Sequence, residues 1–283
     1  MPLLYYWRPD NYRNDLDMGA GYNLNQANPL LHEVEIGDSL WAFTRASNKE
    51  YVFAAELVIK AKTLNPVDYH YGRYRDWGDL QESRYFMVDG QPSAEGIIRS
   101  LSCKTDAGVL GRAFQGRSAV RVINAEDHQV LRAAAKNLPE EPRARTLPEE
   151  ELEAMLLVEN EQTVRRFVEG KDVGLARKRR DYLYSQAPAR NRQLVRDLHD
   201  LYVGRCQICI WNPRSVYGKN LCHGHHVHWL SRGGEDSKNN MVLICPNHHT
   251  AVHRCDAQFD YESMAFDFGR HKEPLRLASH TLH

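Results

Sequence analysis

The chain has 283 residues, 42% of them hydrophobic and 26% charged, and its Lys+Arg total of 37 equals its Asp+Glu total of 37. That length accommodates two domains with separate cores, and the zero net charge excludes a uniformly basic nucleic-acid binder. No apolar run reaches the roughly 20 residues of a membrane span, and the opening Met1-Pro2-Leu3-Leu4-Tyr5-Tyr6-Trp7-Arg8 lacks a signal-peptide pattern, so a cytoplasmic protein with no membrane partner is expected.

Residues 1–136 read as mixed α and β. Aromatic and β-branched runs at 40–44 and 51–59, split by the turn-like Ser47-Asn48-Lys49-Glu50, predict two strands, and further strands are expected at 85–88 and 119–123. Short helices are expected at 95–101 and 125–136. Three prolines in 137–148 mark a boundary. Beyond it, Leu152, Met155, Leu156, Val164, Phe167 and Val168 recur at helical spacing and predict an amphipathic helix over 149–169, a candidate dimer contact within a helical linker at 137–190. Another helix is expected from about Asn191 to Tyr202, ending at Gly204. Residues 140–161 hold eight acids and two arginines, and residues 171–196 hold eight bases and two acids. Such runs are either solvated helix faces or, for the basic strip that precedes Cys206, a surface that meets phosphates.

The chemistry-bearing segment lies in 191–283. Cys206-Gln207-Ile208-Cys209 and Cys245-Pro246-Asn247-His248 are ligand pairs, each separated by two residues, and can close on one tetrahedral zinc as three thiolates and an imidazole. A zinc there would supply folding energy to a module with a small core. The cysteines alone are equally compatible with a zinc ribbon that has no chemistry. The histidines change this, because seven of them fall between 223 and 253. Adjacent His225 and His226 at a strand end would point to opposite sides, one toward a cation and one toward a water. His249 and His253, four apart on a helix, share one face. Ser231-Arg232-Gly233-Gly234 supplies a turn between strands. Arg205, Lys219, Arg232 and Lys238 are candidates to hold a phosphate backbone.

The order CxxC, His-His, SxGG, Asn240 followed by four apolar residues and Cys245, then CxxHH with a further His253, resembles the HNH (ββα-metal) nuclease family. That resemblance implies that His226 is the general base, that Asn240 orients its imidazole through the side-chain amide, and that His225 and His249 ligate a catalytic divalent cation (Mg²⁺, Mn²⁺ or Ni²⁺), with His253 a third ligand. His249 is thereby both a ligand and part of the catalytic set. One position departs from the family pattern: His248 stands where many members carry a fourth zinc cysteine, and Cys222 or Cys255 could take its place. Phosphodiester hydrolysis needs an activated water and charge stabilisation at phosphorus, which a histidine of pKa about 6.5 and a cation can provide.

The first 130 or so residues resemble the EVE branch of the PUA-like superfamily, through Trp7-Arg8, the run from Val34 to Phe43, the strand at 52–59, Ser83-Arg84-Tyr85-Phe86 and the run from Leu110 to Gly116. The resemblance implies a β-barrel-type domain that flips a modified base into an aromatic pocket, with Tyr22, Trp41 and Trp77 as candidate walls. The whole chain then reads as an α+β protein of two domains, a reader at 1–136 and an HNH nuclease at 191–283 joined by the linker. It would be a modification-dependent, type IV-like restriction endonuclease, a homodimer acting on double-stranded DNA with 5-methylcytosine or 5-hydroxymethylcytosine. The alternatives are an HNH nuclease of ordinary DNA sequence or structure specificity, and a non-catalytic zinc-stabilised nucleic-acid-binding module.

Overall fold

The computed structural model describes the chain apart from residues 104, 106, 159, 172–175 and 186–187. It is α+β and divides into two compact units, Met1–Leu16 with Tyr22–Ala144, and Asp17–Gly21 with Arg145–His283. The 145–190 helices, expected to form a separate linker, are therefore counted within the second unit.

The first unit is built on one curled sheet. Its elements are β1 (Leu3–Tyr6), α1 (Pro9–Met18), β2 (Asn23–Gln26), β3 (Ser39–Arg45), β4 (Tyr51–Leu64), β5 (Tyr74–Gly78), β6 (Arg84–Tyr85), α2 (Glu95–Ser100), β7 (Val120–Val122) and α3 (Ala125–Ala135). The strand order is β2-β5-β4-β3-β1-β7 with β6 on β4; β1 and β3 run parallel and the other pairs antiparallel. The long β4 extends past the expected strand because it serves two ladders, pairing β3 across one register shift at Ala42/Phe43 and β5 across another at Ile59/Ala61. Each irregularity bends the strand and curls the sheet. Leu4, Trp41, Phe43 and Phe53 bury one face under Ile98 of α2 and Leu131 and Ala135 of α3. Asn124 and Asp127 cap α3 reciprocally, which fixes where that cover begins.

The second unit begins with α4 (Glu149–Val158), α5 (Glu161–Gly170), α6 (Arg177–Ser185) and α7 (Pro188–Leu201). The single helix expected over 149–169 is two, because Asn160 caps a new start by accepting from the Thr163 N–H. Leu152, Leu156, Val164, Val168 and Leu183 pack with Leu147 and Leu230 in one cluster. The rest is α8 (Pro213–Tyr217), β8 (His223–His226), β9 (Met241–Ile244), α9 (Pro246–Cys255) and the antiparallel β10 (Gln258–Asp260), β11 (Ala265–Asp267) and β12 (Lys272–Pro274). Among the described residues no helix is long and apolar enough to cross a membrane.

One buried group makes the first unit pH-sensitive. Asp76 of β5 is fully buried, and neither carboxylate oxygen has a hydrogen-bond partner. Burial raises its pKa to about 8, against the pull of Lys62 across the ladder. The folded chain keeps a proton there that the unfolded chain releases near a pKa of about 3.9. Stability is thus fullest below that value and falls as pH rises toward about 8. In a calorimetric pH series, Asp76→Asn should raise the melting temperature at pH 8 and flatten this slope; an unchanged slope would contradict the assignment.

Candidate functional site

The site is framed by β8, the loop 227–240, β9 and α9. β8 pairs antiparallel with β9, His225 opposite Val242 and His226 opposite Met241. Gly224 lets α7 approach: a Cβ there would lie 2.6 Å from Val195 Cγ2 and 2.9 Å from Met241 Sδ. In the loop, Gly233 adopts φ +94° after a short turn at Leu230–Arg232, and a Cβ on Gly234 would collide with the His228 carbonyl. Asn240 closes the loop base. Its Oδ1 accepts from His228 N (2.7 Å), and its Nδ2 donates to the carbonyls of His228 (2.8 Å) and Glu235 (2.7 Å).

Cys206, Cys209, Cys245 and His248 converge, each offering one ligand atom within 4.8 Å of the others. His248 Nδ1 lies 3.1 Å from Cys245 Sγ and 3.5 Å from Cys206 Sγ, and Cys209 and Cys245 Sγ are 3.9 Å apart. These separations fit ligands about 2.1–2.3 Å from one tetrahedral zinc. His248 Nε2 lies 3.1 Å from Glu273 Oε2, on the side of the ring away from the thiols. Cys222 is buried and Cys255 exposed, and neither is in this group.

A second cluster joins Glu153 of α4 to His225, His249 and His253. Pro246 at the start of α9 sets the helix so that His249 and His253, one turn apart, meet with their Nε2 atoms 3.3 Å from each other. Glu153 Oε2 lies 3.0 Å from His249 Nε2, 2.9 Å from His253 Nε2 and 3.5 Å from His225 Nδ1. His225 is completely buried, and neither of its ring nitrogens has a hydrogen-bond partner; His253 Nδ1 is also buried without one. Burial lowers the His225 pKa to about 4, so the ring is neutral and has a lone pair to give. Orphaned imidazole nitrogens beside a carboxylate fit a divalent cation, and the nitrogen-rich set suits Mn²⁺ or Ni²⁺ better than Mg²⁺.

His226 adjoins this cluster. Its Nδ1 is 2.9 Å and its backbone N 2.8 Å from Glu153 Oε1, while Nε2 is 3.0 Å from Asp236 Oδ1. Burial alone would depress its pKa; hydrogen bonds to Asp236 and Glu153 outweigh burial and raise it to about 10. Burial would raise Glu153, but the imidazoles, His225 first, hold the carboxyl well below its usual range. His225 and His226 therefore do not part to unrelated surroundings, because one carboxylate reaches both. Glu149, one turn before Glu153 on α4, accepts from the backbone N–H groups of Leu230 and Ser231, both at 2.7 Å. Buried Arg179 of α6 donates to the carbonyls of Leu230 and Gly234 on the same loop.

The structure thus brings His225, His226, His249 and His253 together and gathers the four expected zinc ligands. It does not bring the Asn240 amide to the His226 ring. The amide is engaged by loop backbone, and Asp236 holds the imidazole instead. Arg232 is buried, paired with Asp256 at 2.6 Å and stacked on Trp229, so it is not presented to a phosphate. In the first unit, Tyr22, Trp41 and Trp77 are all buried. Trp41 packs with Phe53 and Phe86 in the helix-covered core, Trp77 donates its indole N–H to Thr63 at 2.8 Å, and Tyr22 packs edge-on against Tyr85. Glu149, Glu153 and Asp236 were missed as site residues. The two glutamates had a signal, since with Leu152 and Leu156 they form one helical stripe in which acids sit where apolar residues belong.

Residues 206–255 match the model of the HNH endonuclease family, so the second unit carries an HNH nuclease module. Among curated proteins, anaredoxin of Nostoc sp. (strain PCC 7120 / SAG 25.82 / UTEX 2576) is 29% identical over 73 residues, 26% of this chain and 88% of that protein. Among solved structures the chain is similar to a modification dependent TagI restriction endonuclease (TM-score 0.26, 13% identity, 88% of this chain and 59% of that one). It is also similar to the type IV phosphorothioation-dependent restriction endonuclease ScoMcrA (TM-score 0.20, 17% identity, 79% of this chain and 43% of that one). The chain spans less than two thirds of either solved protein.

The thiol cluster gives a direct check. Cys245→Ser should abolish the zinc found by elemental analysis of the purified chain and destabilise it by several kcal/mol, on the order of a structural site's contribution. Zinc retained at the wild-type level would show that these residues do not hold it.

Proposed function

We propose that the protein is a divalent-metal-dependent endonuclease that hydrolyses phosphodiester bonds of double-stranded DNA near 5-methylcytosine or 5-hydroxymethylcytosine, with the second unit cutting and the first selecting the target by base flipping. The observation that carries the nuclease half is the placement, inside the family-matched segment, of His226 beside the converging ligand atoms of His225, His249 and His253. A cation held by those three histidines would stabilise the negative charge growing on the phosphoryl group. His226 acts as the general base. Between Asp236 and Glu153 the ring holds a proton at neutral pH, so His226 would accept one from water only after a bound cation, by drawing charge from Glu153, lowers its pKa and the proton at Nδ1 leaves. Zinc at Cys206, Cys209, Cys245 and His248 braces the strand-to-helix junction from which His249 and His253 project. One such centre cuts one strand, and a homodimer would supply the second.

The selecting half rests on the likeness of residues 1–130 to EVE domains. A second reading, an HNH nuclease of ordinary DNA specificity, is favoured by the burial of Trp41 and Trp77 within the first unit.

Two measurements test these points. His226→Ala should lower the rate of supercoiled-plasmid nicking by about 10²–10⁴, with the fold intact by circular dichroism; undiminished nicking would remove His226 from the base role. Plasmid carrying 5-methylcytosine or 5-hydroxymethylcytosine should be cut at least about tenfold faster than plain plasmid. Equal rates on all three would leave the second reading.

A further inference from the structure

The contribution of α4 goes beyond the matched nuclease segment. We propose that Glu153 is a fourth protein ligand of the catalytic cation, so that the centre is a shell of three imidazoles and one carboxylate. The inference rests on the reading that His225, His249 and His253 bind a cation.

Ligand atoms held about 2.1 Å from one ion stand about 3.0–3.4 Å from one another. The separations of Glu153 Oε2 from the three imidazoles, 2.9, 3.0 and 3.5 Å, and the 3.3 Å between His249 and His253 Nε2 lie within about 0.1 Å of that range, and all four ligand atoms fall within 4.8 Å of one another. A simple ion pair accounts for it poorly. One carboxylate oxygen does not meet a single donor but is shared among three ring nitrogens, while the His225 ring, wholly buried, makes no hydrogen bond at either nitrogen. The other oxygen, Oε1, is held by the His226 backbone N–H, which fixes the carboxylate's orientation. Glu149 pins α4 to Leu230 and Ser231, and Leu152 and Leu156 seat the helix in the cluster that includes Leu230. A flexible acidic side chain could visit such a site by chance. This one is buried, oriented by a backbone donor and carried on a helix anchored on both sides of it.

Two consequences follow. The shell favours Mn²⁺, Co²⁺ or Ni²⁺ over Mg²⁺, which prefers oxygen ligands and retained water. The cation site also needs residues upstream of 206–255, so the matched segment alone is incomplete as a metal centre.

The test is Mn²⁺ binding by the full chain without DNA, followed by the loss of the free-ion electron paramagnetic resonance signal. Glu153→Gln should weaken binding by at least roughly tenfold, the size of loss that even an outer partner of a metal ligand carries, and His253→Ala should do likewise. Binding by Glu153→Gln at wild-type affinity would overturn the inference. If that variant does not fold, wild-type chain labelled with ¹³C at glutamate carboxyls answers the question: electron–nuclear double resonance on its Mn²⁺ complex should show a directly coupled carboxyl carbon, and no coupling overturns the inference. Plasmid nicking run in parallel separates the two claims. A wild-type chain that nicks while the glutamate carbon is uncoupled keeps the nuclease and loses the ligand. A chain that nicks nothing but binds Mn²⁺ through Glu153 does the reverse.

Discussion

A carboxylate buried among four imidazoles is the interaction on which the second unit turns. An ionised group so placed is costly unless it is paired and hydrogen-bonded, and Glu153 meets that condition only where β8, α9 and α4 coincide. The need to satisfy it fixes α4 against the nuclease module, and Leu152 and Leu156 supply the apolar contact that makes docking favourable. Arg179 reaches the same loop from α6. The helices upstream of the matched segment are thereby part of the hydrolytic unit.

Within that unit lie two candidate metal clusters of different chemistry. The thiol-rich set is soft and its ligand atoms converge within 4.8 Å, as suits a site that holds a fold together. The imidazole-rich set lies next to a histidine with an anchored ring, as a site that activates water requires. Cys245, His248, His249 and His253 lie within nine consecutive positions at the start of α9, so the thiol and imidazole clusters are tied to one helix.

Much of the site was legible in the sequence because its spacings are short and local. CxxC, CxxH, adjacent histidines and an i,i+4 histidine pair each carry their geometry within a turn or a strand, and the structure assembles them as the order suggests. What the sequence hid was long-range. Glu153 is 72 positions before His225, and although its place in a stripe with Leu152 and Leu156 marks it as inward-facing, nothing local in the sequence says what it meets. Asn240 was assigned to His226 by family likeness, whereas Asp236, four residues earlier, has the reach; both residues lie on the same loop, and which of them meets the ring depends on how Gly233 and Gly234 fold it. In the first unit the strands at 40–44 and 51–59 were evident from their composition. The roles of Tyr22, Trp41 and Trp77 were not, since an aromatic side chain that walls a pocket and one that fills a core have the same signature.

On the proposed function, one module holds two different metal sites, a structural zinc at Cys206, Cys209, Cys245 and His248 and a separate catalytic cation at His225, His249 and His253. Anomalous diffraction from crystals of the full chain grown with Mn²⁺, recorded on either side of the zinc and manganese edges, tests it most directly. Two peaks are expected, zinc among the thiols and manganese among the imidazoles. A crystal with manganese present in excess and no peak at the imidazoles would contradict the claim.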